Sequence, residues 1–159
     1  MPLARLRLPR FEPALFPFAD DAGGLLVGTC ALRDLHKRAA AGAGHDVVDT
    51  PADAPIPAGA AVACTLDAVF SRATVAALVA EAERRGAVVQ AAIRAGTPLW
   101  RAASRLVVGG VEGDMRLPLW AGPLAGRTAK VDGDALDAFP DATLVAVCDE
   151  ATATTFRVP

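Results

Sequence analysis

The sequence predicts one α/β domain, residues 1–159, with a three-layer Rossmann-like, mostly parallel sheet, helices on both faces and a β-rich C-terminal part. Three observations predict it. From Leu15 to Ile93, apolar strand-like runs alternate with amphipathic helical segments, an order that leads to right-handed βαβ crossovers and a parallel sheet. The run Ala60 to Leu66 is continuously apolar, as a strand covered on both faces requires. A chain of 159 residues fills one domain and buries about two thirds of its unfolded surface, so no second core is needed.

The elements follow in order. Ala14 to Ala19, bounded by Pro13 and Asp20-Asp21, reads as the first buried strand, although Pro17 opposes a fully paired central position. Gly23-Gly24 then relax the backbone before a helix in which Leu32, Leu35, Ala39 and Ala40 recur at spacings of three and four. Thr29 suits its N-cap, and Gly42 and Gly44 its end. His45 to Asp49 reads as the second strand, and the loop Thr50 to Gly59, holding Pro51, Pro55 and Pro57, denies donors to any ladder. Ala60 to Leu66 is the third strand and delivers Asp67 to its end.

Ser71 caps the next helix, in which Val75, Leu78, Val79 and Ala82 share a face, with Glu81 and Arg85 paired on the solvent side before Gly86. Ala87 to Ile93 is a fourth strand. Beyond Gly96 the pattern weakens to a short helix, Leu99 to Leu106, short strands at Leu106 to Val108 and Met115 to Trp120, a turn at Asp132-Gly133-Asp134, and a clear strand at Thr143 to Cys148 with Thr154 to Val158 beside it. Pro98-Leu99-Trp100 recurs as Pro118-Leu119-Trp120. The two tryptophans either fill core or anchor an interaction surface.

Composition excludes several classes. The net charge of -2, with Lys and Arg scattered among Asp and Glu, is no footprint for nucleic-acid phosphates. No run approaches the roughly 18 apolar residues of a membrane span. Arg5, Arg7 and Arg10 stand between leucines, but Pro9 and Glu12 precede any apolar run long enough for a secretory signal, so a cytoplasmic protein is expected. Cys30, Cys64 and Cys148 form no C-x-x-C pair, and His36 and His45 have no cysteine or histidine cluster around them, which leaves buried thiols and no histidine-based metal site as the expectation. A Cys30–His36 dyad would need contact across more than one and a half helical turns.

Ligands of open α/β sheets bind beyond the carboxyl ends of the strands. Two segments are expected there. The stretch from Asp20 to Thr29 offers Gly23, Gly24, Gly28 and Thr29 for close approach of a nucleotide, with a helix dipole behind it. It contains neither G-x-G-x-x-G nor a Walker G-K-[ST], so a plain turn remains its other reading. Leu66 to Ser71 places Asp67 at a strand end, where a carboxylate either holds Mg²⁺ against nucleotide phosphates or caps the turn.

Leu15-Phe16-Pro17-Phe18, Leu26-Val27-Gly28-Thr29 with Leu32-Arg33-Asp34-Leu35, and Val62 to Ser71 resemble the N-terminal part of a sugar nucleotidyltransferase domain of the glycosyltransferase-A-like fold. The resemblance covers about half of the chain. It implies a nucleoside triphosphate and a sugar phosphate as substrates, Mg²⁺ held by Asp67 with Asp149 as second ligand, attack of the sugar phosphate on the α-phosphate, and departure of pyrophosphate. The family's glycine-rich loop carries an Arg and, further on, a Lys, where Asp20 to Gly24 offers two acids; Arg33, Lys37 and Arg38 are the nearest cations. Two expectations therefore stand side by side. One is an active transferase; the other is a catalytically degenerate scaffold that pairs with itself or with a larger protein.

Overall fold

The computed structural model describes residues 2–7, 14–15, 20–21, 26–27, 30–65, 68, 70–105, 109–130 and 137–148. The chain opens with strand β1 (Pro2–Arg7), in which Leu3, Ala4, Arg5 and Leu6 are all buried. This differs from the expected first strand. Ala14–Leu15 (β2) instead pairs antiparallel with Asp20–Asp21 (β3) in a two-stranded ladder outside the main sheet, and residues 16–19 lie outside the described set. Arginine disguised β1: a buried guanidinium needs a partner, and Arg5 finds it in Asp49, with Nε 2.5 Å and Nη2 2.8 Å from the carboxylate oxygens.

A second small ladder, Leu26–Val27 (β4) with Cys30–Ala31 (β5), leads into helix α1 (Leu32–Gly42). Its N-cap is Ala31, with no side-chain cap, so the expectation for Thr29 as N-cap is corrected. Leu32, His36, Ala39 and Ala40 form its buried stripe. The edge strand β6 (Asp46–Pro51) follows, then β7 (Val62–Thr65), buried at all four positions as its apolar run required. Helix α2 (Arg72–Arg85) starts where Ser71 Oγ accepts from the Thr74 amide at 3.1 Å and ends at Gly86, whose φ of +62° is left-handed.

Strand β8 (Val89–Ile93) is buried throughout. After it come the short helix α3 (Pro98–Ser104) and strands β9 (Met115–Ala121) and β10 (Thr143–Cys148). The expected elements at residues 106–108, 132–134 and 154–158 lie outside the described residues.

The main sheet has six strands in the order β10-β8-β9-β7-β1-β6. Pairs β1/β6, β1/β7 and β8/β10 are parallel, and β9 runs antiparallel between β7 and β8. An α/β domain with a mostly parallel open sheet is the result. On one face Leu3, Val62, Cys64, Val89 and Leu119 pack against Ala39 and Ala40 of α1 and Val75, Leu78 and Ala82 of α2. The other face, Ala4, Leu6, Ala63 and Trp120, is covered among the described residues by Ala52, Ile56, Leu124, Ala138 and Phe139 from irregular segments.

Both long helices therefore share a face. Since β6 lies to one side of β1 and β8 to the other side of β7, the crossovers through α1 and α2 have opposite hands, and one departs from the right-handed preference. β9 lies between β7 and β8, so β8 stands two positions from β7.

Candidate functional site

The parallel strands β1, β7, β8 and β10 all end at one edge of the sheet, and the sequence-predicted site residues follow those ends in the chain. Gly23, Gly24, Gly28, Thr29, Asp67 and Asp149 themselves lie outside the described residues. β1 and β7 are neighbours, with Leu6 opposite Thr65, so the chain after β1 and the Asp67 segment set out from adjacent strand ends about 4.8 Å apart, whereas Gly23 and Gly24 come between β3 and β4 in the chain and Gly28 and Thr29 between β4 and β5, sixteen or more residues beyond β1. Asp149 follows β10, which stands three strand positions from β7, about 14 Å.

Thr65 and Ala68, the described residues nearest Asp67 in the chain, are hydrogen-bonded to each other. The Ala68 amide donates to the Thr65 carbonyl at 3.2 Å, closing a turn off the end of β7. From α1, His36 Nε2 lies 2.5 Å from the Ala68 carbonyl, and the imidazole stacks on Phe70 with ring centroids 5.0 Å apart and planes 7° from parallel. One residue on, Ser71 caps α2. Cys64 is buried in the core and Cys30 is half-buried.

Besides Arg72 at the start of α2 and Arg94 directly after β8, both exposed, three sets of described cations bear on the site. Arg5 is locked to Asp49. Arg33, Lys37 and Arg38 on α1 are exposed, and Lys37 Nζ is 4.0 Å from Asp34. Arg116 went unnoticed in the sequence: β9 runs antiparallel to β7 and β8, with Leu119 opposite Cys64 and, past a register shift, Arg116 opposite Ala92, toward the carboxyl edge. Its guanidinium is half-exposed and bonds Asp137 at 2.8 Å. The local strand pattern was visible, but its pairing with β7 was not.

Among the described residues no group of three or more His, Cys, Asp or Glu side chains is placed to hold a metal. Mg²⁺ asks for less, since it binds through one or two carboxylates and completes its octahedron with water and phosphate oxygens. A half-open hollow of about 220 Å³ lies at the opposite, amino edge, lined by Ala61, Val79, Ala82, Glu83, Gly122 and Pro123 among others. Its lining is apolar with one carboxylate, a poor match to phosphates.

The tryptophans part company. Trp120 is fully buried, edge-on to Phe139 at 5.4 Å, whereas the half-buried Trp100 donates from Nε1 to the Gly113 carbonyl at 2.8 Å. Core filling accounts for Trp120. No described helix is long and apolar enough to cross a membrane. In comparisons with protein-family models, curated proteins and solved structures, the chain matches none.

Proposed function

We propose that this chain is a nucleotidyltransferase-like domain of the cytoplasm that transfers a nucleotidyl group from a nucleoside triphosphate to a sugar phosphate with Mg²⁺. The observation that carries the reading is the adjacency of β1 and β7: the chain leaves β1 toward β6 and leaves β7 toward β8, on opposite sides. Ligands of open α/β sheets bind beyond the carboxyl ends of the strands where the strand order reverses, and β1/β7 is such a reversal although α1 and α2 pack on the same face. The three-layer arrangement belongs to the same proposal, with α1 and α2 as one outer layer.

In this reading Gly23, Gly24, Gly28 and Thr29 lie along the phosphates, and Asp67, with Asp149 as second candidate, holds the ion. Bound Mg²⁺ would neutralise the triphosphate and stabilise the departing pyrophosphate. A phosphate oxygen of the sugar phosphate attacks the α-phosphorus, the bond from that phosphorus to the bridging oxygen breaks, and pyrophosphate leaves with the electron pair. Little covalent chemistry falls to the protein. Its residues position the reactants and offset charge, and Arg116 is the described cation on β9, the strand next to β7 on the side away from β1.

The second reading, a catalytically degenerate scaffold for self-association or a larger protein partner, is favoured by one observation: the α1 cations are exposed and Arg5 is tied to Asp49. One experiment separates the two. Melting points are measured with CTP, UTP, GTP and dTTP, with and without Mg²⁺, alongside pyrophosphate release from sugar 1-phosphates. A Mg²⁺-dependent upshift and turnover, both lost in Asp67→Ala, support the transferase. No upshift with any nucleotide, together with concentration-dependent self-association, supports the scaffold.

A further inference from the structure

We propose that His36 is a positioning residue, the part of α1 that holds the turn after β7 and, through it, the backbone flanking Asp67. Its bearing on nucleotide chemistry rests on the transferase reading above. His36 is 1% exposed and belongs to a helix stripe whose other members are Leu32, Ala39 and Ala40, where an apolar side chain would be the ordinary choice. Burying an imidazole there costs free energy unless its polar atoms find partners.

The partner lies 32 residues away in the chain. A carbonyl oxygen only accepts, so at 2.5 Å the Ala68 oxygen requires the proton on His36 Nε2. Ala68 is thus held twice, by its amide on Thr65 and by its carbonyl on His36, while the face of Phe70 lies flat on the same imidazole. A donor and a flat face at one position are what histidine supplies and leucine or alanine does not. The result is a cross-strut from the first long helix to the turn that precedes the second.

The test uses the full chain with His36→Phe, which keeps the ring stack and removes the donor, and His36→Gln, whose side-chain amide returns a donor near the Nε2 position. Amide exchange is read at Ala68 against Leu78 in the core of α2, and Mg²⁺-nucleotide binding is read by melting-point titration. His36→Phe is expected to speed exchange at Ala68 about tenfold relative to Leu78, the effect of losing one hydrogen bond, and to weaken Mg²⁺-nucleotide binding several-fold. His36→Gln is expected to recover a large part of both.

Unchanged relative exchange at Ala68 in His36→Phe overturns the inference, and so does a glutamine variant as loose as the phenylalanine one. If His36→Phe does not fold, Phe70→Leu removes the stacked ring and is held to the same criterion at Ala68. A wild-type protein that binds no nucleotide counts against the transferase reading alone, because the exchange measurement still decides the role of His36.

Discussion

Asp67→Asn and Asp149→Asn make a pair of perturbations whose effects the sheet order separates. The strands preceding these acids stand about 14 Å apart, three steps of about 4.8 Å. Oxygen ligands of one Mg²⁺, each about 2.1 Å from the ion, lie at most about 4.2 Å from each other. If Asp67 ligates the ion and the second acid keeps the distance of its strand, the charge of Asp149 acts on Mg²⁺ with about 0.6 kcal/mol in water, and a Debye length of about 8 Å cuts that to about 0.1 kcal/mol. A carboxylate in direct contact is worth about 4 kcal/mol by the same arithmetic, before the water that replaces it is counted. Asp149→Asn should therefore change apparent Mg²⁺ affinity less than about twofold, and Asp67→Asn on the order of a hundredfold. The assay is a Mg²⁺ titration of the nucleotide-dependent melting point at fixed nucleotide. Equal losses in the two variants would refute the spacing argument, since the segments after β7 and β10 would then have to converge by about 10 Å.

Two predictions concern stability. Gly122 has a φ of +132°, and an added Cβ would sit 2.7 Å from the Ala87 carbonyl oxygen and 2.9 Å from Val88 Cα, so Gly122→Ala should cost about 3 kcal/mol and lower Tm by about 6–12 °C. Gly96→Ala, with φ of +80° but nothing within 4 Å, should cost only about 1 kcal/mol in the same denaturation series, and equal costs would show that space is not the issue at Gly122. Hydrogen bonds from Arg84, then Arg85, hold the Glu81 carboxyl at about 2, down from 4.5. A depressed folded-state value means stability that is complete above pH 4.5 and fades as pH falls toward 2, so the gap between wild type and Glu81→Gln should narrow across that window; a constant gap from pH 6 to pH 3 would contradict it.

Elements whose cause is local were legible in the sequence. Ser71 and Gly86 bracket α2, and the apolar runs at Val62 to Thr65 and Val89 to Ile93 became strands at those places, because capping geometry and two-sided burial leave their mark on adjacent residues; Thr143 to Cys148 became the edge strand β10. What failed was distant in cause. In the sequence Arg5 bears, with Arg7 and Arg10, only against a secretory signal, so β1 is not read as a strand, and the residue that permits burial of Arg5, Asp49, comes 44 positions later. The seat of β9 between β7 and β8 was hidden for the same reason: pairing is chosen among strands that are remote in sequence, and an alternating run does not announce its neighbour.

The candidate site divides along that line as well. An acid after an apolar run is a local signal, and it singled out Asp67; the groups that would hold or complement it come from α1 and β9. His36 nevertheless carried a signal in the sequence. It repeats at i+4 from Leu32 and i-4 from Ala40, within a helix stripe that has to face the core, so burial follows from periodicity alone. A buried imidazole in turn requires an acceptor or donor that the helix itself does not provide, because the carbonyls of its own turn are occupied by the i to i-4 ladder. The partner had to be a turn or strand-end group brought from elsewhere, and the segment between β7 and α2 supplies it in the Ala68 carbonyl. By that reasoning, polar residues inside apolar helix stripes point toward the turns that a fold must hold still. Here the turn it finds is the one after β7, beside the acid chosen on independent grounds.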